Sequence, residues 1–500
     1  MKFLIPTFLV FLAASLPGQG LNLNIDLENP PQGVLSDEWM EIFMNGEKVG
    51  FERITFEREE DIIVTKTRTH MKMGREDTLV ATDTVSIARE KIDGTPISIR
   101  EMTKEGILMT KMEIAFNDTG AVITKTAGGR TWDHKADLKP GYVVSWGFFK
   151  DMVELLRSEP GTVLETRNYI PELTPNAALP MTSTFVGRES IDFRDRTVEA
   201  LRLEQTIRMG IFPLTVTIWL NEQGETLKGY FPIGGFEITM LKATEEQARA
   251  DFQPNDLFTA SLIRLNKPIP FGKQAVTYRL TTAEEVLSPI EDSMNQSVVQ
   301  EDATTYRVTV RRGTLPETGT GEGRVDSKYL EPSRLVDYED PAIQALLPEG
   351  IEEMSLPEKL RALVRATDSA ITTKSMDFGF ATASETVKES EGDCTEHSLL
   401  LAALARAAGI PARGASGLVG FYNDDGSPKM GYHMWTQVWN GENWLDLDAA
   451  YGEAETSPIR ILLGVDDLSE MDPASEFLLI AEFMGQTQIE IVETADPDET

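Results

Sequence analysis

The 500-residue chain has a single cysteine, Cys394, and four histidines. One thiol excludes an intramolecular disulfide framework. Cys394, His397, His433 and Asp448 are all zinc-competent residue types, but their spacing matches no familiar zinc pattern, so no metal site is expected. Positive charge is also scarce, since 47 Lys and Arg stand against 81 Asp and Glu, a formal net charge of −34. A surface that acidic repels phosphate backbones and anionic lipid, which argues against nucleic-acid partners and a membrane-surface role. Beyond the first twenty residues no run approaches the roughly 20 apolar residues that a spanning helix needs.

Those first twenty residues read as an export signal. Lys2 supplies a positive start, FLIPTFLVFLAASL an apolar run of signal length, and Gly18 and Gly20 the small residues of a cleavage site. No cysteine follows that could carry a lipid. The expectation is a secreted or periplasmic protein with no membrane insertion after cleavage. In an oxidising compartment an unpaired cysteine is either packed in a core or reactive.

What is present is mostly alternating apolar and polar residues. EWMEIFMNGEKVGFERITFERE (38–59) holds two such runs joined at Asn45-Gly46, a strong hairpin signal, and residues 216–241 repeat the pattern. One helix interrupts at 148–158, and a short one at 244–252 closes the region. His70 and His134 have no spaced partner and read as surface histidines. AVTYRLTT and ATTYRVTVRR are further strands, followed by a Gly-, Pro- and Thr-rich linker. From Ser355 the character turns helical: Ser355 and Glu358 form a capping-box pair ahead of an apolar stripe at Leu360, Leu363, Val364 and Ile371. The division is a signal at 1–20, an N-terminal β-rich domain at 21–253, a small β-rich domain with linker at 254–344, a helical and β core at 345–475, and a C-terminal extension at 476–500. The fold class is α+β and multidomain, led by a large N-terminal antiparallel β domain.

CTEHSLLLAALARAAG (394–409) has almost no polar face, so its helix is buried on nearly all sides, and Gly409 and Pro411 end it. Cys394 falls in the first turn, where unpaired backbone N–H groups and the helix dipole favour a thiolate. A thiolate acting in acyl transfer needs an imidazole and a group that orients it. GYHMWTQVWNGENWLDLDAAYG (431–452) reads as a hairpin turning at Asn440-Gly441. With a two-residue turn, Trp439 faces Glu442, and His433 faces Asp448 within reach of a hydrogen bond. Asp446, one pair along and opposite Trp435, is the weaker candidate for the orienting role. His397 reads as a structural hydrogen-bonding residue, and residues 420–432 as a mobile flap.

GDCTEHSLLLAALARAAGIPARGASG, YHMWTQVW and WLDLDAA, in that order, resemble the transglutaminase-like domain over about residues 345–465. The resemblance implies a papain-like core, with Cys394 as nucleophile, His433 as general base and acid, and Asp448 orienting His433. Ala449-Ala450 and Met434 depart from the family's usual residues without redirecting the histidine. Tyr432 and Trp435 are candidates to line the substrate cleft. The implied chemistry is thiol-dependent acyl transfer on an amide of a protein or peptide, with no cofactor. Hydrolysis, as a peptidase or amidase, is favoured; protein crosslinking is the alternative. The competing class is a non-catalytic envelope scaffold or binding protein in which the β domains do the work.

Overall fold

The computed structural model describes residues 23–496 apart from 76–77, 106–107, 128–129, 172, 211, 234, 254–261, 317–324, 375–380, 424, 469–482 and 484–486. The export signal, much of the Gly-rich linker and part of the C-terminal extension therefore lie outside the described residues. The chain divides into two compact units, the first within residues 3–259 and the second within 260–500.

Strands β1–β8 run from Gly33 to Ala136 and β9–β14 from Val163 to Ala243. Each set is an antiparallel meander, and the first and last strands, Gly33–Met44 and Phe236–Ala243, pair to join them into one 14-stranded sheet. Asn45 and Gly46 take φ of +49° and +83°, so they form the two-residue turn expected of Asn-Gly between Met44 and Glu47. Helix α1 (Ser145–Leu156) joins the two meanders and buries Trp146, Phe149, Met152, Val153, Leu155 and Leu156. Trp146 stacks on Phe149 at 5.0 Å, and Phe56 packs 4.8 Å from Phe149. Helix α2 (Glu245–Arg249) opens on a capping box built by Thr244 and Gln247. His70 differs from the surface reading: it is largely covered, lies opposite Asp83 on the next strand, and Nδ1 is 3.0 Å from Asp83 Oδ1.

In the second unit, β16 (Ala275–Thr281), β17 (Gln296–Gln300), β18 (Thr305–Arg311) and β23 (Gln488–Ala495) form a four-stranded sheet in the order β17-β18-β16-β23. A five-stranded sheet orders β15 (Ile263–Arg264), β20 (Pro428–Trp439), β19 (Ala412–Tyr422) and β22 (Arg460–Asp466), with β21 (Trp444–Leu447) also paired to β20. The stretches read separately as a small β domain, a mixed core and a terminal extension thus supply strands to one compact unit. Val276, Tyr278, Leu280, Val308, Ile461, Ile489 and Ile491 share one core, which draws on both sheets. A second core joins Met434, Val438 and Leu447 to the helices α4 (Leu356–Ala370), α5 (Ala383–Glu389) and α6 (Cys394–Ala407), preceded by the single turn α3 (Pro341–Gln344). Ser355 and Glu358 form the capping box of α4. Antiparallel strands dominate both units, as the fold-class reading holds for the large β region.

Leu399, Leu400, Leu401, Leu404 and the alanines between them are fully buried, so α6 is the axis of the second unit. Gly409, at φ +76°, turns the chain out of the helix and Ala412 begins β19. Buried Arg406 ties that exit, donating to the carbonyls of Ala412 at 2.9 Å and Asp467 at 2.6 Å. The segment read as a flap is largely strand, because β19 and β20 pair out to Tyr422 and Pro428.

Candidate active site

Cys394 is the first residue of α6. The Asp393 carboxylate accepts the Thr395 N–H at 2.7 Å, and the Glu396 carboxylate accepts the Asp393 N–H at 2.9 Å, a reciprocal capping box. These bonds fix where the helix starts and so where the thiol stands. Gly392 is buried under the Glu396 side chain that closes the box. Helix α6 is in turn bolted to β20, where the Thr436 hydroxyl donates to the Ser398 carbonyl at 3.0 Å.

The hairpin that carries the imidazole differs in register from the sequence reading. Trp439 pairs with Trp444, Gln437 with Asp446 and Thr436 with Leu447. The turn is four residues, 440–443, because the Asn440 side-chain oxygen captures the N–H groups of Glu442 at 2.8 Å and Asn443 at 2.7 Å. The expected Trp439–Glu442 pairing is therefore replaced by a register two residues away. A two-residue shift conserves side-chain parity, so the aspartates stay on the face of His433. Beyond Leu447 the chain leaves the ladder, Asp448 and Glu453 exchange backbone hydrogen bonds, and the Asp448 carboxylate turns back to His433.

His433 Nε2 lies 2.7 Å from Asp448 Oδ2, and both residues are buried. The other face of the interaction is the thiol, which hydrogen-bonds to His433. Burial and the neighbouring Asp393 charge push the Cys394 thiol up, but the hydrogen bond and positive charge of His433 outweigh them and hold it below its ordinary value. Burial pushes His433 down, yet the charge and hydrogen bond of Asp448, with smaller contributions from Cys394, carry it up to about 9. Burial opposes ionisation of Asp448 as well, and His433 and Arg460 together keep it far below the usual carboxylate range. The arrangement favours a thiolate facing an imidazolium that is backed by a carboxylate.

Asp446 holds a different position. Its Oδ1 accepts the Trp435 indole N–H and the Gln437 amide, each at 2.8 Å, and its Oδ2 accepts the Asn295 amide at 3.0 Å. Trp435 is buried by this clasp, with its ring near-parallel to His433 at 6.2 Å. Tyr432 is half-buried and packs on the core that draws on both sheets. The structure therefore brings Cys394, His433 and Asp448 together, while Tyr432 and Trp435 flank them on β20. His397 Nδ1 donates to the Asp393 carbonyl at 2.5 Å, one turn back on its own helix.

Three residues that the sequence reading did not single out complete the site. Arg460 on β22 is buried against Asp448 and Glu453. The Tyr451 ring meets His433 edge-on at 5.3 Å and is more than a third exposed. Lys374 Nζ donates to the Ala450 carbonyl at 2.8 Å. Arg460 had one visible signal, a lone charge opening the apolar run RILLGV. Among the described residues there is no cluster of three or more His, Cys, Asp or Glu able to hold a metal ion, and no helix long and apolar enough to cross a membrane.

Comparison with known proteins agrees with the position of this site. Residues 348–449 match the family model of the transglutaminase-like superfamily. No curated protein matches the chain. Among solved structures, a candidate cysteine protease from Cytophaga hutchinsonii shares 16% identity, covering 44% of this chain and 86% of its own, with a TM-score of 0.26. A β-barrel-like protein of a domain family of unknown function from Brucella abortus shares 10% identity over 42% of this chain and 95% of its own, at a TM-score of 0.32. A candidate protease from Parabacteroides distasonis shares 9% identity over 72% of this chain and 68% of its own, at 0.17. The resemblance rests on the family match over residues 348–449.

Proposed function

We propose that the chain is an exported thiol-dependent acyl-transfer enzyme acting on amide or peptide bonds, with Cys394, His433 and Asp448 as its catalytic groups. The observation that carries this reading is the 2.7 Å contact between His433 and Asp448 beside a thiol at the start of a buried helix. The match of residues 348–449 to the transglutaminase-like superfamily supports it, and with it a papain-like core. The Cys394 thiolate attacks the carbonyl carbon, and the developing oxyanion is met by the Cys394 backbone N–H, which has no partner within its helix. The His433 imidazolium then gives its proton to the leaving nitrogen as the C–N bond breaks, leaving a thioester. Water, deprotonated by His433, attacks that thioester, releases the acid and restores the thiolate. If an amine resolves the thioester instead, the product is a new amide and the enzyme is a crosslinker. Hydrolysis is the favoured outcome, on a protein or peptide substrate.

Alkylation of Cys394 by iodoacetamide, followed against pH in wild type and in His433→Ala, tests the reading. Wild-type reactivity should persist well below the ordinary thiol pKa of about 8.5 and be lost in the variant. An inert thiol, or equal profiles, overturns it. Peptide release against incorporation of a fluorescent primary amine then separates hydrolysis from transamidation.

A further inference from the structure

The residue that the site leaves unexplained is Arg460, a guanidinium almost fully buried twelve residues beyond Asp448. Its Nε donates to Asp448 Oδ2 at 2.8 Å, the same oxygen that faces His433 Nε2 at 2.7 Å. Its Nη2 lies 2.6 Å from that oxygen without hydrogen-bonding geometry, and its Nη1 reaches Glu453 Oε2 at 2.8 Å and the Ser457 carbonyl at 3.2 Å. Glu453 is itself held from behind by the N–H and hydroxyl of Ser457. The guanidinium also lies over the Tyr451 ring, 5.0 Å from its centroid. Asp448 and Glu453 bracket a six-residue turn whose backbone ends are bonded to each other, and Arg460 grips both carboxylates of that turn.

A buried arginine is costly unless it is paired, and one placed here could have been avoided by an apolar residue if only packing were at stake. We propose that Arg460 is a positioning residue: it fixes the Asp448 carboxylate on His433, shares the negative charge that would otherwise fall wholly on the imidazole, and holds Tyr451 against the ring. The proposal rests on the catalytic reading of Cys394 and His433. The charged and titratable groups around Asp448 and His433 are Asp393, Cys394 and His397 at the start of α6, Lys374 ahead of α5, Tyr451 and Glu453 from the turn, and Arg460 from β22, with Tyr278 from β16 beyond it. Arg460 is the cation that touches the Asp448 carboxylate, and its guanidinium stays charged throughout the pH range of an assay.

Removing Arg460 leaves His433 as the only charged partner, among the described residues, in contact with the Asp448 carboxylate, beside the Tyr451 N–H that donates to Oδ1 at 3.3 Å. That strengthens the carboxylate's hold on the imidazolium while loosening its orientation. In Arg460→Met the alkaline limb of Cys394 alkylation should therefore move to higher pH, while hydrolysis of fluorescently labelled casein falls by about 10- to 100-fold, the range found for partners that orient metal-binding histidines. Arg460→Lys keeps the charge but cannot fork between two carboxylates, so its alkaline limb should stay near that of wild type while turnover still falls. A purely structural role would lower stability and leave both pH limbs of the folded variant in place. The inference is overturned if either folded variant keeps wild-type turnover, or if Arg460→Met keeps the wild-type alkaline limb; where Arg460→Met does not fold, the turnover of Arg460→Lys decides. Failure of the catalytic reading looks different: wild type and His433→Ala then alkylate alike, whatever residue stands at 460.

Discussion

Glu396 fills the space that a side chain at Gly392 would need: a Cβ added to Gly392 would lie 2.4 Å from the Cβ of Glu396 and 2.9 Å from its Cγ. Both residues are buried, and the Glu396 side chain cannot swing away without giving up the Asp393 N–H. Gly392→Ala should therefore break the capping box and cost about 1–2 kcal/mol of stability. It should also shift the first turn of α6 and lower the rate of Cys394 alkylation at neutral pH. Denaturant unfolding and alkylation of the same preparation measure both effects; a variant unchanged in both would show that the box does not set the position of the thiol.

Asp446 and Asp448, two residues apart, carry out separable tasks, and their amide variants should differ accordingly. Asp446→Asn must turn its NH₂ towards donors on one side or the other, since Trp435 and Gln437 occupy Oδ1 and Asn295 occupies Oδ2. A cost of about 1–3 kcal/mol is expected, with the pH limbs of Cys394 alkylation unmoved. Asp448→Asn removes the charge that sustains the imidazolium, so alkylation at pH 6–7 should fall at least tenfold towards that of His433→Ala. It also leaves Arg460 with Glu453 as its single carboxylate partner, with a loss of about 1–3 kcal/mol. Melting temperature against alkylation rate for the two variants checks the division.

The parts of this architecture legible in the sequence are those set by local rules. The Asn45-Gly46 hairpin, the Ser355 and Glu358 capping box and the buried helix from Cys394 all follow from residues within one turn of each other. The proximity of His433 and Asp448 follows even from a register two residues away from the observed one, because an even slip preserves the face. Nothing nearby in sequence revealed that the Asn440 side chain would cap its own turn and lengthen it to four residues. Arg460 was illegible for another reason: its partners are brought to it by the pairing of β22 with β19, a long-range contact that no local pattern encodes. The same holds for β23, whose residues 488–495 pair with β16 some two hundred positions earlier.

The pH dependence of stability should report the charged pair directly. His433 titrates near 9 in the folded protein and about 6.5 when unfolded, so its contribution is complete below pH 6.5 and is lost as pH rises through 9. Asp448 is depressed in the folded state, so its contribution is present above its unfolded value of about 3.9 and lost as pH falls below it. His433→Ala should consequently cost more stability at pH 6 than at pH 10. Urea unfolding of both proteins at the two pH values measures the difference; an equal loss at both would mean that the folded imidazole is not held protonated.

Glu90 makes a second, independent prediction in the N-terminal unit. Helix α1 begins without a side-chain cap of its own, and the buried Glu90 carboxylate accepts the N–H groups of Trp146 at 2.6 Å and Gly147 at 3.0 Å. Burial pushes Glu90 up to about 7, against the two backbone hydrogen bonds that pull it down. A carboxyl raised in the folded state contributes stability that is fully present below its unfolded value of about 4.3 and is lost as pH rises through 7. The loss should amount to about 4 kcal/mol, because the rise from about 4.3 to about 7 carries roughly 1.4 kcal/mol per pKa unit. Glu90→Gln keeps one acceptor for the helix and cannot ionise, so it should flatten the decline between pH 5 and pH 8. Unfolding followed by tryptophan fluorescence at those two pH values, in wild type and variant, decides it: a decline of equal steepness in both would assign the pH sensitivity to other groups.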